Sequence, residues 1–478
     1  MRIIGNRGNT ARKVQAVASG ALASGDTVVV NADGTVSVIA GSDESAGSPV
    51  TFNSGNANDM NVVYDSNSNR IVISYLNTAA NGYPTAVVGA VSGASISFGT
   101  PVVYTSIAAN LHQGSAFDSG SNKVIFAWSE SNGGKAVVGT VNSSNNSISF
   151  GSIATYEGGV PSFVSTVYDV AANRTVISYE DQGTGNYGTS TIGTVSGTSI
   201  SFGTPVRFNL NNTDFITSVY DPDAEKVVIM YEDRNGNIFQ AIVGTVSGTT
   251  ISFGTEVTIA SAYYLNLTSV YDTNSSKVVV AGKSLSSTLD LYVGTVSGTS
   301  ISFGSVNTAT VAGNPGNMRM TFDSSANKIV IAFQASGDGS KGKLTTGSVS
   351  GSTISFDPLF TFTTNVTTRV AAAYDSTAQR CVISYRDNSD SLNGKAVSYA
   401  AASTNLTSEN YIGMASNGYA TGQAATINVK GFIDDNQSSL TAGQSYYVQT
   451  NGDLGLTAAD PSVFAGTAVS ATKLIVKG

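Results

Sequence analysis

The chain has 478 residues, a net charge of −8 and a pI near 4.7, and only 12% of it is charged, about half the usual share. Lys and Arg are sparse and scattered, so there is no basic stripe for nucleic acid and no cationic patch for an anionic membrane. A single cysteine, Cys381, excludes an internal disulfide, and a single histidine, His112, argues against a histidine metal cluster and a Ser-His-Asp triad.

In chain order, "MRIIGNRGNTARKVQAV" lacks the apolar core of a secretory signal, and no apolar run approaches membrane-spanning length. The Gly-, Ser-, Thr- and Asn-rich composition resembles an extracellular surface, yet no export signal accompanies it. "DTVVVNADGTVSVIA" reads as two short strands joined by the turn Asn31-Ala32-Asp33-Gly34. Residues 1–45 hold too little apolar strand for a core of their own.

From residue 46 the chain repeats. An aromatic-Asp pair recurs at Tyr64-Asp65, Phe117-Asp118, Tyr168-Asp169, Tyr220-Asp221, Tyr271-Asp272, Phe322-Asp323 and Tyr374-Asp375. These seven aspartates are 51 to 53 residues apart, and a base follows each five residues later, from Arg70 to Arg380. Each copy reads as four strands. The first ends at the aromatic-Asp, the second is "KVVISY"-like, the third "AVVGTV"-like and the fourth "SISFGTPV"-like, with Ser-Gly as a hairpin turn between the last two. Four short antiparallel strands repeated seven times predict a seven-bladed β-propeller over residues 46–404. Small residues two before the aromatic (Ser115, Thr166, Ser218, Ser269, Ala372) belong at the crowded axis. Tyr75, Trp128, Tyr179, Tyr231, Phe333 and Tyr385 form a core column that Gly282 interrupts. Cys381 replaces a Val or Ile of the sister copies and reads as core. The turn aspartate is expected to accept backbone N–H groups, with the base neutralising it; a calcium loop would want more carboxylates.

The seventh copy lacks its "SISFG" strand, and "AGSPVTFNSG" near Pro49 matches the tail that precedes the other first strands. An N-terminal segment is therefore expected to close the ring as the outer strand of the last blade. Residues 405–478 then read as short strands again: "AATINVKGFID", "QSYYVQTNGDLGL", "VFAGTAVSATKLIVK". With residues 1–45 they predict a small β-barrel or sandwich-like domain built from both termini, with the propeller inserted in it. These two terminal pieces resemble the small all-β attachment domains of tailed-bacteriophage head-decoration and fibre proteins. The resemblance implies a virion structural protein on the particle exterior, homo-oligomeric with a trimer favoured, held to other virion proteins through the terminal domain. It also accounts for the missing export signal, because phage proteins reach the outside by lysis.

Positions constant through all copies build the blade, so function is expected where the copies differ. The connections between strands four and one, such as "TYEGGVPSF" and "ASAYYLNL", and between strands two and three, such as "EDQGTGNYG" and "RDNSDSLNGK", share the face opposite the aspartate turns. Diverse loops on a rigid scaffold form a recognition surface for a host-surface glycan or receptor. Tyr187, Phe239, Tyr263 and Tyr264 are the candidate apolar platforms; Glu180, Asp181, Glu232, Asp233, Arg386 and Asp387 are the candidate polar contacts. No catalytic residue, metal or cofactor is expected, and the chain reads as a non-enzyme. Two alternatives remain: a propeller glycoside hydrolase or depolymerase using Glu180/Asp181 and Glu232/Asp233 as carboxylate pairs, and a bacterial surface lectin.

Overall fold

The computed structural model describes residues 2–4, 13–110, 112–311, 313–459 and 461–477. Residues 5–12 of the N-terminal stretch, and Leu111 and Ala312 in two strand-four-to-one connections, lie outside them. The chain is all-β and forms two compact units, Ser45–Ala401 and Met1–Glu44 with Ala402–Gly478.

In the larger unit each repeat folds as one antiparallel blade. In the third copy Pro161–Asp169, Arg174–Asp181, Tyr187–Ser196 and Ser199–Phe202 pair in sequence order. The second strand of that blade is buried at every residue after Arg174, as expected of a sheet covered on both faces by its neighbours. First strands of successive blades lie side by side, and the seventh, within Phe360–Asp375, lies against the first, within Val50–Asp65. The unit is thus a closed seven-bladed β-propeller. As the phasing of the repeat predicts, the closing strand is N-terminal: Val50–Asn56 and Ser45–Ala46 pair with the seventh blade's third strand, Asn393–Ala400. Val50–Asp65 is one continuous 16-residue strand, so it ends one blade and begins the next; Val206–Asp221 and Phe360–Asp375 do the same elsewhere in the ring.

Two rings of contacts explain the constant positions. At the aspartate turns, Asp65 Oδ1 accepts the amides of Asn67 and Ser68 at 3.0 Å, and the other six turns repeat this use of Oδ1. The tyrosine before the aspartate reaches back one blade: the Ala171 amide donates to Tyr220 Oη at 3.2 Å, and Tyr64 Oη lies 2.7 Å from Thr377 Oγ1, which fastens the first blade to the seventh. The base does not do what the sequence suggests. Among the described residues no ion pair joins it to its own aspartate; Arg70 donates to Ser143 O and Asn146 Oδ1 of the next blade's hairpin, both at 2.6 Å. The outer ring depends on the "FG" glycine. A Cβ on Gly151, Gly203 or Gly254 would sit 1.7–1.8 Å from the carbonyl of Thr198, Thr249 or Thr299 in the next blade's hairpin. Only a glycine permits that approach.

The aromatic column is buried throughout, with Tyr75, Trp128, Tyr179, Tyr231, Phe333 and Tyr385 all fully enclosed. At its gap, Gly282 leaves room for Tyr264, whose ring atoms would lie 3.0 Å from a Cβ there. Cys381 is also buried, and burial pushes its thiol pKa well up.

The smaller unit draws strands from both termini. Its six-stranded sheet places Lys13–Val17 beside Ala424–Asn428, and Thr27–Val30 beside Tyr411–Ala415. A five-stranded sheet comes from Ile433 onward, and Val29 and Ile39 join Tyr446, Val448, Leu474 and Val476 in one core cluster. Neither terminal segment could bury that cluster by itself.

Candidate functional site at the mouth of the propeller channel

In six of the seven blades the first strand departs from regular pairing six residues before the turn aspartate. In the third blade Ser162 pairs with Glu180 and Ser165 with Ser178, so two residues, Phe163 and Val164, oppose one; five other blades skip at the same place. A bulge of this kind bends the strand and re-aims one side chain. The residue it re-aims is Asp59, Phe163, Phe215, Asn266, Asn317 or Arg369, and His112 stands at the matching position just before the second blade's first strand, Gln113–Asp118. Each has a positive φ, between 44° and 90°. Asp and Asn tolerate that conformation, but Phe, His and Arg do so at a cost, and strain of this sort concentrates at functional sites. All seven line one cavity of about 280 Å³, together with the apolar residues that follow them and with Gln113 and Arg319. Because the bulges stand at the beginning of the first strands, the cavity opens on the face of the variable connections.

The ring is unevenly furnished. His112 stacks on Phe163 with centroids 4.7 Å apart, Phe163 lies 5.0 Å from Phe215, and Phe215 meets Tyr263 edge-on at 6.2 Å. Opposite this aromatic arc stand Asn266, Asn317, Arg319 and Arg369. Asp59 Oδ2 accepts the amides of His112 and Gln113 at 2.6 and 2.9 Å, which fixes its carboxylate against the second blade. Burial raises the Asp59 pKa and lowers that of His112.

Behind the aromatic arc lies a group of buried acids. Asp214 pairs across strands with Glu232, accepts a hydrogen bond from Tyr263 Oη at 3.0 Å and meets Arg234 at 3.3 Å. Burial, with the Asp214 charge beside it, pushes Glu180 up to about 7. Glu232 is pushed up to about 8, chiefly by burial, although the Tyr264 amide donates to it at 2.8 Å. On the other side, burial and the nearby Arg369 hold Arg386 below the ordinary guanidinium range.

The candidates read from sequence divide accordingly. Tyr187, Tyr263 and Arg386 keep partial exposure. Arg207 lies over the Tyr187 ring at 4.9 Å, and Arg386 donates to Thr368, Asn388 and Asn56. Phe239 and Tyr264 are not platforms: Phe239 is fully buried against Tyr264 and Tyr292, and Tyr264 fills the space above Gly282. Asp181, Asp233 and Asp387 are also buried, and their oxygens are engaged by Gly183 and Thr184, by Asn211 and Asn235, and by Asn365, Ser389 and Lys395. These three order their loops and do not offer a free polar contact. Glu180 and Glu232 are enclosed too, so their carboxyls do not lie on the open face. None of the seven ring residues is among the candidates read from sequence, although the variable connections "TYEGGVPSF" and "ASAYYLNL" contain Phe163 and Asn266. Aligned on the turn aspartate, that column reads Asp, His, Phe, Phe, Asn, Asn, Arg, followed in six of the seven copies by an apolar residue.

No protein-family model matches the chain, and no curated protein matches it. Solved structures similar to it include the NanB sialidase from Streptococcus pneumoniae (TM-score 0.43, 10% identity, 73% of this chain and 69% of that one). They also include the SapL1 lectin in complex with alpha methyl fucoside (TM-score 0.41, 10% identity, 63% and 96%). A triple Arg-to-Ala mutant of AofleA from Arthrobotrys oligospora is a third (TM-score 0.43, 10% identity, 70% and 93%). Glu180 and Glu232, buried beside Asp214 with carboxyls pushed up to about 7 and 8, leave acid–base chemistry open, and the expectation that the chain is not an enzyme is withdrawn.

Proposed function

We propose that the propeller binds a glycan at the mouth of its channel. The observation that carries this is the ring of seven residues, which sets an aromatic arc against amide and charged side chains around one cavity. Sugars offer apolar C–H faces and hydroxyls on the same ring, and a cavity that sets aromatic rings against fixed polar groups suits them. As part of the same reading, the terminal unit fixes the protein to a phage particle as a homo-oligomer, trimer favoured, with the propeller displayed outside. That part rests on the resemblance of the terminal segments to phage attachment domains.

A second reading has its own observation. Asp214, Glu180 and Glu232 are neighbouring carboxyls, two of which are raised toward neutrality, and environments that separate carboxyl pKa values are those of acid–base pairs. Tyr263, half-exposed and bonded to Asp214, links these buried acids to the cavity side. The chemistry is hydrolysis of a glycosidic bond in the bound glycan.

One experiment serves both readings. The full chain and its Phe163→Ala variant are applied to a glycan array, and released reducing ends are measured on every glycan that binds. Phe163→Ala should weaken binding at least tenfold with the melting temperature nearly unchanged. Binding that survives this change would remove the channel mouth as the site. Reducing-end release that Glu232→Gln abolishes supports hydrolysis; no release on any bound glycan leaves recognition alone.

A further inference from the structure

The channel mouth carries two guanidinium groups that the fold leaves largely unpartnered. Arg369 makes no hydrogen bond or ion pair with another described residue, although it is only half-exposed. Arg319 stands on the adjacent blade, one residue beyond the bulge pair, and donates to the neighbouring Met318 carbonyl at 2.9 Å. Arginine carries five N–H donors in a planar fork, so most of this donor capacity remains unused. The one carboxylate in the cavity wall, Asp59, is committed to the amides of His112 and Gln113. Two like charges held side by side in a recess repel, and each gains when an anion enters between them. Burial is the first cause of the lowered Arg319 pKa; the Asp59 charge opposes the shift, and Arg369 adds to it by less.

We infer that Arg319 and Arg369 form a clamp for an anionic substituent, a carboxylate or a sulfate ester, on the sugar residue that enters the cavity. The inference rests on the glycan reading above and specifies it. A cavity of about 280 Å³ holds one sugar residue. The ring of that residue lies toward Phe163 and Phe215, and its acidic group points to the opposite wall, where the arginines stand. Planar carboxylate meets the guanidinium fork in parallel hydrogen bonds, and a sulfate offers the same pair of acceptor oxygens.

The test is titration calorimetry on the full chain with three probes: methyl galactoside, methyl galacturonoside and methyl galactoside 6-sulfate. At least one charged probe should bind ten times or more tighter than the neutral one, and which of the two does so identifies the substituent. Arg369→Gln, and separately Arg319→Gln, should erase the preference for the charged probe. Equal affinity for all three probes, or a preference that survives both substitutions, overturns the clamp. Inorganic sulfate separates the two levels of the inference if no sugar binds. A sulfate-dependent rise in melting temperature, present in the native chain and absent in Arg369→Gln, supports an anion site and rejects the glycan reading. No rise in either chain rejects both.

Discussion

Glu232 holds its carboxyl fully enclosed, with one oxygen accepting the Tyr264 amide and the other without a partner among the described residues. Its pKa, pushed up to about 8 from an ordinary 4.5, means that the native state binds the proton more tightly than the unfolded chain does. The stability this supplies is fully present below about pH 4.5 and is lost as pH rises through about 8, with Glu180 adding a smaller effect of the same sign. Glu232→Gln removes the titration. Relative to the native chain, the variant should gain on the order of 4 kcal/mol between pH 5 and pH 9. Denaturant titrations at those two pH values check it, and an equal offset at both would show that Glu232 does not titrate in this range. At this scale sequence shows residue types but not enclosure. The pair Glu180/Glu232 is legible in the repeat, yet the same repetition made Tyr264 look like a loop aromatic. Its true place depends on the missing side chain of Gly282, which lies in another strand.

Blades are held to one another by contacts that cross from copy to copy. The "FG" glycine is the clearest, since its partner carbonyl lies some 45 to 47 positions further on, in the next hairpin: Gly151 with Thr198, Gly203 with Thr249, Gly254 with Thr299. The blade itself is readable within one copy, because alternation, β-branched runs and Ser-Gly turns are local. The latch is not, because no pattern inside a copy names its partner. Two glycines only six residues apart separate these causes. Gly203→Val must displace a backbone carbonyl 1.8 Å from the new Cβ, so it should cost about 3 kcal/mol and lower the melting temperature by several degrees. Gly197→Ala meets nothing within 4 Å and bears only the cost of a positive φ of 62°, about 1 kcal/mol. Similar losses for the two would place the importance of Gly203 in backbone conformation and not in the contact between blades. The basic residue after each turn shows the same limit: its charge invited pairing with its own aspartate, while Arg70 in fact serves the neighbouring hairpin.

For the whole molecule, repeat phasing was enough to foresee the architecture and the N-terminal closing strand, because a ring of identical joints has only one place for the unmatched segment. It was not enough to foresee the site, which is made by seven residues distant in sequence that meet only once the ring is closed. The closing strand therefore bears on both stability and binding. A fragment of residues 45–401 contains it, whereas a fragment beginning at residue 57 leaves the third strand of the seventh blade unpaired. The first should unfold in one cooperative transition and keep its sugar affinity, yet fail to join phage particles. The second should melt at markedly lower temperature and bind no sugar. Equal melting of the two would refute closure by the N-terminal strand, and particle attachment by the first would move the anchor out of the terminal unit.

The positive φ at the seven ring positions separates spelling from grammar. Backbone pairing on either side of each bulge fixes where the side chain points, whatever that side chain is, and the structure already accepts an acid, a base, an imidazole, two phenyl rings and two amides there. Asp, His, Phe, Phe, Asn, Asn, Arg is in this sense a seven-letter word written around a mouth, on a scaffold that taxes some letters through the positive φ but admits several kinds. A single substitution in this ring changes what lines the cavity, with no loop to lengthen and no blade to rebuild.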